Sequence, residues 1–411
     1  FTYHVVHGGE RSRDFQVRVF EHPKLERADA TLTYPSYTGQ SQRRIEDTRR
    51  ISAVEGTQLD LALQLNKPVA SARLIARNAA KDVIPLTLEP GQAQGRLAGQ
   101  VLRQSQTYDL ELIDAEGRKN RPAAPLVIDV QPNRRPEIRV ASPRGDIRPS
   151  ALEEVRFEGT VWDDFGSPRY GLAYSQAGAE PREIELGKDV KARVRQGYLH
   201  VLRLEELGVK PDELVSWFAW AEDIGPDGQV RRTQSDLYFA EVRPFDEIFR
   251  EDSGMGEGEP EAGEQQQGGS QRLAELQKQI IAATWKLRRE PERTTAADDT
   301  RVVRDSQVEA LNQARATAER VTAPRALALW DDVTSAMEKA ASHLNDAVDT
   351  PAALTEALTA EQSALQALLK LQQRETSVTR SRSRSRGQGG GQANQRQVDQ
   401  LDLAQTENRY E

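Results

Sequence analysis

The fold class this sequence predicts is multidomain: all-β immunoglobulin-like sandwiches in tandem, followed by an all-α, coiled-coil-prone region. Three observations predict it. Strand–turn–strand segments recur along the chain and each ends on proline, residues between them alternate apolar and polar with period two, and beyond residue 271 apolar residues recur three and four apart.

The repeat occupies residues 3–23, 108–132 and 218–244. In each copy an aromatic opens an alternating strand, a polar turn rich in Gly or Asp follows, and a second strand closes at Pro23, Pro132 or Pro244. Those prolines are spaced by roughly 100 residues, the size of one seven-stranded sandwich. Residues 1–22 hold only two strands, too few for a core, and are expected to close a sandwich whose earlier strands precede Phe1.

Two complete sandwiches are expected, at 23–132 and 133–245. Alternation places strands of the first at 30–34, 58–65, 72–76, 83–88 and 96–102, and of the second at 137–141, 154–162, 170–175, 182–186 and 198–204. Residues 246–271 are acidic and rich in Gly and Gln, the composition of a self-repelling linker.

From 272 to 375 the apolar stripes read as four helices: Leu273, Leu276, Ile280, Ala283 and Leu287; Val308, Leu311, Ala314, Ala318 and Val321; Trp330, Val333, Met337, Ala340, Leu344 and Val348; Leu354, Leu358, Leu365 and Leu368. Each stripe is narrow and needs a partner. Pro291, Pro324 and Pro351 mark short connections, so the helices either fold back into a bundle or pair between chains. An Arg-Ser and Gly tract at 376–393 is expected to break the last helix before a further one begins at 394–411.

Composition excludes several functions. A net charge of −8 lacks the basic excess of nucleic-acid binding, and the absence of cysteine removes disulfides, thiolate metal sites and cysteine nucleophiles. No run of about 18 apolar residues occurs. None of His4, His7, His22, His200 and His343 lies in an HExxH motif, and neither a GxSxG elbow nor a GxxxxGK loop is present. No catalytic residue and no cofactor site is expected.

One constellation remains. In a sandwich the turn after the second strand and the last hairpin turn share one pole, which brings Asp163 and Asp164 toward Asp223 and Asp227 as candidate calcium ligands. The competing reading is a pair of ordinary Asp/Gly turns. Trp162, Tyr170, Tyr174 and Tyr198 are candidates for stacking on sugars, set against a core role.

The strings TLTYPSYTGQ at 31–40, WDDFG at 162–166, VRPFDEIFRE at 242–251 and LQKQIIAATWKLRR at 276–289 resemble a family of large, uncharacterised bacterial proteins with amino-terminal transmembrane helices, Ig-like extracytoplasmic repeats and a helical carboxy-terminal region. The resemblance spans residues 3–375 and implies a membrane-anchored protein of the cell envelope, on the periplasmic side, with the anchor upstream of Phe1. The expected role is structural: sandwiches as spacers or docking modules, and a helical region that binds a protein partner or self-associates, without nucleic acid. The alternatives are a cell-wall polysaccharide-binding module and the non-catalytic part of a longer enzyme.

Overall fold

The alternation QLDLALQL at 58–65 sets the first sandwich. In Gln58–Leu65 each leucine points inward and each polar residue outward, so one face is core and the other solvent. The computed structural model describes residues 1–78, 82–176, 178–244, 264–290 and 294–386. Residues 1–22 form a hairpin of short strands, β1 (Thr2–Tyr3) with β4 (Phe15–Gln16) and β2 (Val6–His7) with β3 (Glu10–Arg11).

The first sandwich comprises β5 (Leu25–Thr33), β6 (Arg43–Ile45), β7 (Arg50–Val54), β8 (Gln58–Leu65), β9 (Ser71–Ala76), β10 (Val83–Pro85), β11 (Thr87–Leu88), β12 (Gln94–Val101), β13 (Gln106–Ile113) and β14 (Leu126–Gln131). One sheet has the order β11-β12-β8-β5-β6 and the other β10-β9-β13-β14-β7. That is the immunoglobulin arrangement, with the first, second, fifth and fourth main strands opposite the third, sixth and seventh. Leu32, Leu59, Leu61 and Leu63 meet Ile51, Leu74, Leu112 and Ile128 between them.

Five strands were expected here besides the closing hairpin. β6 and β7 are additional, and residues 83–88 are split into β10 and β11, which join opposite sheets.

The second sandwich contains β15 (Glu137–Ser142), β16 (Glu154–Trp162), β17 (Ser167–Gln176), β18 (Arg182–Val190), β19 (Gln196–Arg203), β20 (Leu214–Ile224), β21 (Val230–Gln234) and β22 (Tyr238–Glu241). Sheet β15-β16-β19 faces β18-β17-β20-β21, and β22 also pairs with β20. β20 does not alternate: Leu214 to Asp223 are all buried. Val215 and Trp217 point into the sandwich against Phe157 and Leu172, while Leu214, Phe218 and Trp220 point the other way. The indole of Trp220 lies flush on Gly171, where a Cβ would come within 2.7 Å of the ring.

What covers that outer face is the helical region. Helices α1 (Glu264–Arg289), α2 (Ala296–Ala318), α3 (Pro324–Ala347) and α4 (Leu354–Arg386) pack in cyclic order, each against its sequence neighbours and α1 against α4. Short connections make the neighbours antiparallel. Leu273, Ala274, Ile281 and Trp285 of α1 and Leu365 of α4 join Phe218, Trp220 and Phe239 in one continuous apolar cluster. Polar contacts fix the dock: Trp285 Nε1 donates to the Ser235 carbonyl at 2.9 Å, and Gln366 accepts from the Leu214 amide at 2.7 Å while donating to the Asp212 carbonyl at 2.8 Å. Lys278 pairs with Glu241 and, at 3.3 Å, with Asp146.

Three expectations are corrected. On α2 the buried positions are Thr300, Val303, Gln307, Ala310, Leu311 and Ala314, whereas Val308 is 40% exposed. The frame is set by a buried amide pair, since Gln277 and Gln307 exchange hydrogen bonds at 2.9 and 3.2 Å across α1 and α2. At the other end α4 continues through the Arg-Ser residues to Arg386, because Arg favours helix and Ser opposes it only weakly. α1 likewise begins at Glu264, inside the stretch expected to be linker. The rest of that acidic stretch and the helix expected at 394–411 lie outside the described residues.

Glu361 is fully buried between α4 and α1. Oε1 accepts the Thr284 hydroxyl at 2.7 Å, and Oε2 has no hydrogen-bond partner among the described residues. Burial pushes this carboxyl up to about 8. Its folded pKa is above the unfolded value, so native protein holds the proton more tightly and stability falls as pH rises from about 4.5 to about 8. Urea unfolding of the chain at pH 5.5 and 8.5 should show that loss. Glu361→Gln should remove the part due to this group and stabilise by ~2 kcal/mol at pH 8.5, with little gain at pH 4.5.

Candidate functional site: the junction of the two sandwiches

The two sandwiches meet through short loops that carry more hydrogen-bonding groups than apolar ones. From the first come the 3₁₀ turn Ser36–Thr38 and the β7–β8 turn around Glu55 and Gly56. Asn133, between β14 and β15, and the turns after β16 and β20 supply the rest.

Tyr37 sets its ring edge-on to Phe165 at 5.0 Å between centroids and donates its hydroxyl to the Glu55 carbonyl at 2.5 Å. Burial, with the Glu55 carboxylate nearby, pushes the phenol up to about 12. Gly56 has φ +83°, and a Cβ there would come within 2.6 Å of the Pro226 carbonyl oxygen. Only glycine meets both demands. Asn133 ties the halves together: its amide donates to Glu55 Oε2 at 3.1 Å, its side-chain nitrogen donates to the Ile224 carbonyl at 2.9 Å, and its Oδ1 accepts from Arg231 at 3.1 Å.

The acidic residues expected at this pole divide. Asp163, Asp164 and Asp223 are buried at the junction; Asp227 is exposed and accepts the Gln229 amide at 3.0 Å within its own turn. Asp163 Oδ2 accepts the Phe165 amide at 2.9 Å and Asp164 Oδ2 the Arg134 amide at 3.3 Å. The Oδ1 atoms of both have no hydrogen-bond partner among the described residues. Asp223 is clamped by Arg231, which lies directly opposite it across the β20–β21 hairpin. Burial first, then the charges of Asp164 and Asp223, push the Asp163 carboxyl up to about 6; burial also raises Asp164.

Chemically this is a desolvated carboxylate pair beside one guanidinium-neutralised aspartate. Asp163 and Asp164 keep oxygens that could meet a cation, but Arg231 already occupies the position a metal would take on Asp223. Among the described residues no group of three His, Asp or Glu side chains is arranged to hold a metal ion. Sequence reasoning found the aspartates and missed Arg231, Asn133 and Tyr37. The signal for Arg231 was present, because a hairpin closed by GPDG brings residue 231 opposite 223.

Of the four candidate sugar-stacking aromatics, Tyr170, Tyr174 and Tyr198 are buried in the core of the second sandwich, with Tyr170 and Tyr198 6.3 Å apart between ring centroids, and Trp162, at the end of β16 beside Asp163, is half-buried.

Asp163→Asn retains the acceptor for the Phe165 amide and removes the ionisation. The native pKa of Asp163 is above its unfolded value, so its stabilising contribution is present at acid pH and is lost as pH rises from about 4 to about 6. The variant should therefore be more stable by ~2 kcal/mol at pH 7.5, and by less than half of that at pH 4.5, in denaturant titrations. Millimolar calcium should leave the melting temperature of the parent protein unchanged; a rise abolished by Asp163→Ala would place a cation here.

No known family model matches the chain, and no curated protein sequence matches it. Among solved structures it is similar to fibronectin(III)-like modules of Clostridium thermocellum CbhA, at 15% identity over 47% of this chain and 88% of that one, with a TM-score of 0.18. It is also similar to the IG1+IG2 pair of DIP-gamma, at 12% identity over 55% and 99% of the two chains, with a TM-score of 0.23. At these TM-scores the likenesses carry no inference about this chain.

Proposed function

We propose that this chain is a non-catalytic structural and interaction protein, in which two sandwiches form a stiff arm and the helical bundle is a head fixed to its end. The observation that carries this reading is β20, a single strand whose two faces belong to the sandwich core and to the bundle interface. Gly56 against Pro226 and the Asn133 hydrogen bonds limit bending at the other joint. Such an arm sets a distance, and the head offers helix surface to a protein partner or to a second copy. Following the family resemblance, we place the protein in the bacterial cell envelope on the periplasmic side, with its membrane anchor in sequence outside this chain. No helix among the described residues is long and apolar enough to cross a membrane.

The absence of cysteine allows spin labels at two introduced sites, Gln64→Cys on the first sandwich and Val308→Cys on α2, both exposed. Pulsed dipolar spectroscopy should give one narrow distance distribution, broadened by Gly56→Ala. A broad distribution in the parent would end the spacer reading. Trp285→Ala should destabilise the bundle and the second sandwich together by about 3 kcal/mol, because it empties the shared cluster. Coincident loss of helical and aromatic circular dichroism signals checks that coupling.

A further inference from the structure

Strand β7 ends its sheet and, among the described residues, has a neighbour on one side only, β14. The two run parallel, with Arg50 opposite Val127 and Val54 opposite Gln131. The Arg49 carbonyl accepts the Val127 amide at 2.8 Å, and the Glu55 amide donates to the Gln131 carbonyl at 2.9 Å. These bonds set the phase of the ladder, so Ile51 and Ala53 turn their backbone groups toward β14 while Arg50, Ser52 and Val54 turn theirs away.

Some of the outward groups are already used. The Thr48 hydroxyl donates to the Arg50 carbonyl at 2.7 Å and accepts its amide at 3.2 Å. Thr57 donates its amide and hydroxyl to the Val54 carbonyl at 3.1 and 2.7 Å. The amide and carbonyl of Ser52 and the amide of Val54 remain, and they border an open groove of about 490 Å³ whose other walls include Tyr34, Gln40, Arg43, Gln131 and Asp129, the last already held by Arg50.

The charge around this edge selects among occupants. Arg50 is paired with Asp129 at 3.0 Å and Arg44 with Asp29 at 3.2 Å. Arg43 and Arg49 are exposed and form no ion pair with a described residue, on a chain whose net charge is −8. Edge cations of this kind disfavour neutral and basic strands.

We propose that the β7 edge receives an extended acidic segment of a partner protein, added as a further strand. Its backbone bonds Ser52 and Val54, and its carboxylates face Arg43 and Arg49. At roughly 3.3 Å per residue, the two outward positions accommodate a segment of about three or four residues. Capture at this edge goes beyond the spacer reading and does not depend on whether the arm is rigid.

The test uses the full chain and a fluorescein-labelled hexapeptide of alternating valine and glutamate, followed by anisotropy, with hydrogen exchange read on the segment containing Ser52 and Val54. The expected result is saturable binding that protects that segment, with a valine–lysine hexapeptide binding at least about tenfold more weakly. Ser52→Pro removes an amide outside the ladder and should weaken binding about tenfold, as should Arg43→Glu. If Ser52→Pro lowers the melting temperature substantially, a peptide N-methylated at alternate residues replaces it as the probe of backbone pairing and should lose binding. No binding at millimolar peptide, equal binding of the lysine peptide, or unchanged affinity in Arg43→Glu overturns the proposal. Protection of the same segment through concentration-dependent dimerisation also overturns it, assigning the edge to a second copy. The spin-label distances are independent of all these outcomes, so failure here leaves the spacer reading standing and the reverse also holds.

Discussion

β20 carries two tryptophans of opposite phase, and the placement of most of the molecule follows from them. Trp217 lies inside the sandwich and Trp220 outside it, both almost fully buried. Each removes on the order of 200 Å² from water, worth roughly 5 kcal/mol. A strand apolar on both faces cannot be left half exposed, so α1 and α4 are held against it. Register is pinned by the same residues, because a slip of one position would exchange Trp217 with Phe218 and drive Trp220 away from the bare backbone of Gly171.

The two joints use different chemistry. Sandwich and bundle share an apolar cluster that includes Trp285 and is flanked by the polar contacts of Lys278 and Gln366, which ties their stabilities together. Between the sandwiches the contacts are hydrogen bonds and one aromatic edge, and desolvated Asp163 and Asp164 oppose part of the gain. Arg231 makes the arrangement tenable: it neutralises Asp223 and bonds Asn133, so one guanidinium serves both the second sandwich and the linker. The joint is specified by geometry more than by buried area.

Much of this was legible in the residues. Strict alternation in Gln58–Leu65 and Glu154–Trp162 gave those strands to the residue, and the stripes on α4 and on α3 as far as Leu344 are buried as spaced, Ala347 taking the last place in α3 instead of Val348. β6 and β7 were missed because RRI and RISAV are short and open on arginine, a pattern that reads as a loop. Trp285 was missed on α1 because a single-stripe template fits a helix with one buried face, and α1 has two. The doubly buried character of β20 was written in LVSWFAWA, where apolar residues occupy both phases. The polar frame of α2 was not legible, since Gln307 is buried only because Gln277 meets it from another helix.

Time enters through the long sequence distance between β20 and its cover. The strand is complete once residue 224 has been made, but Gln366, which bonds the Leu214 amide, follows 152 residues after its partner. At synthesis rates of roughly 5–20 residues per second, that interval is on the order of ten to thirty seconds. Throughout it, Phe218 and Trp220 face outward on a sheet that can already form, an adhesive surface awaiting its lid. A nascent chain of this protein therefore passes through a vulnerable stage that its finished form conceals, and protection during synthesis matters most for the stretch that ends up best buried.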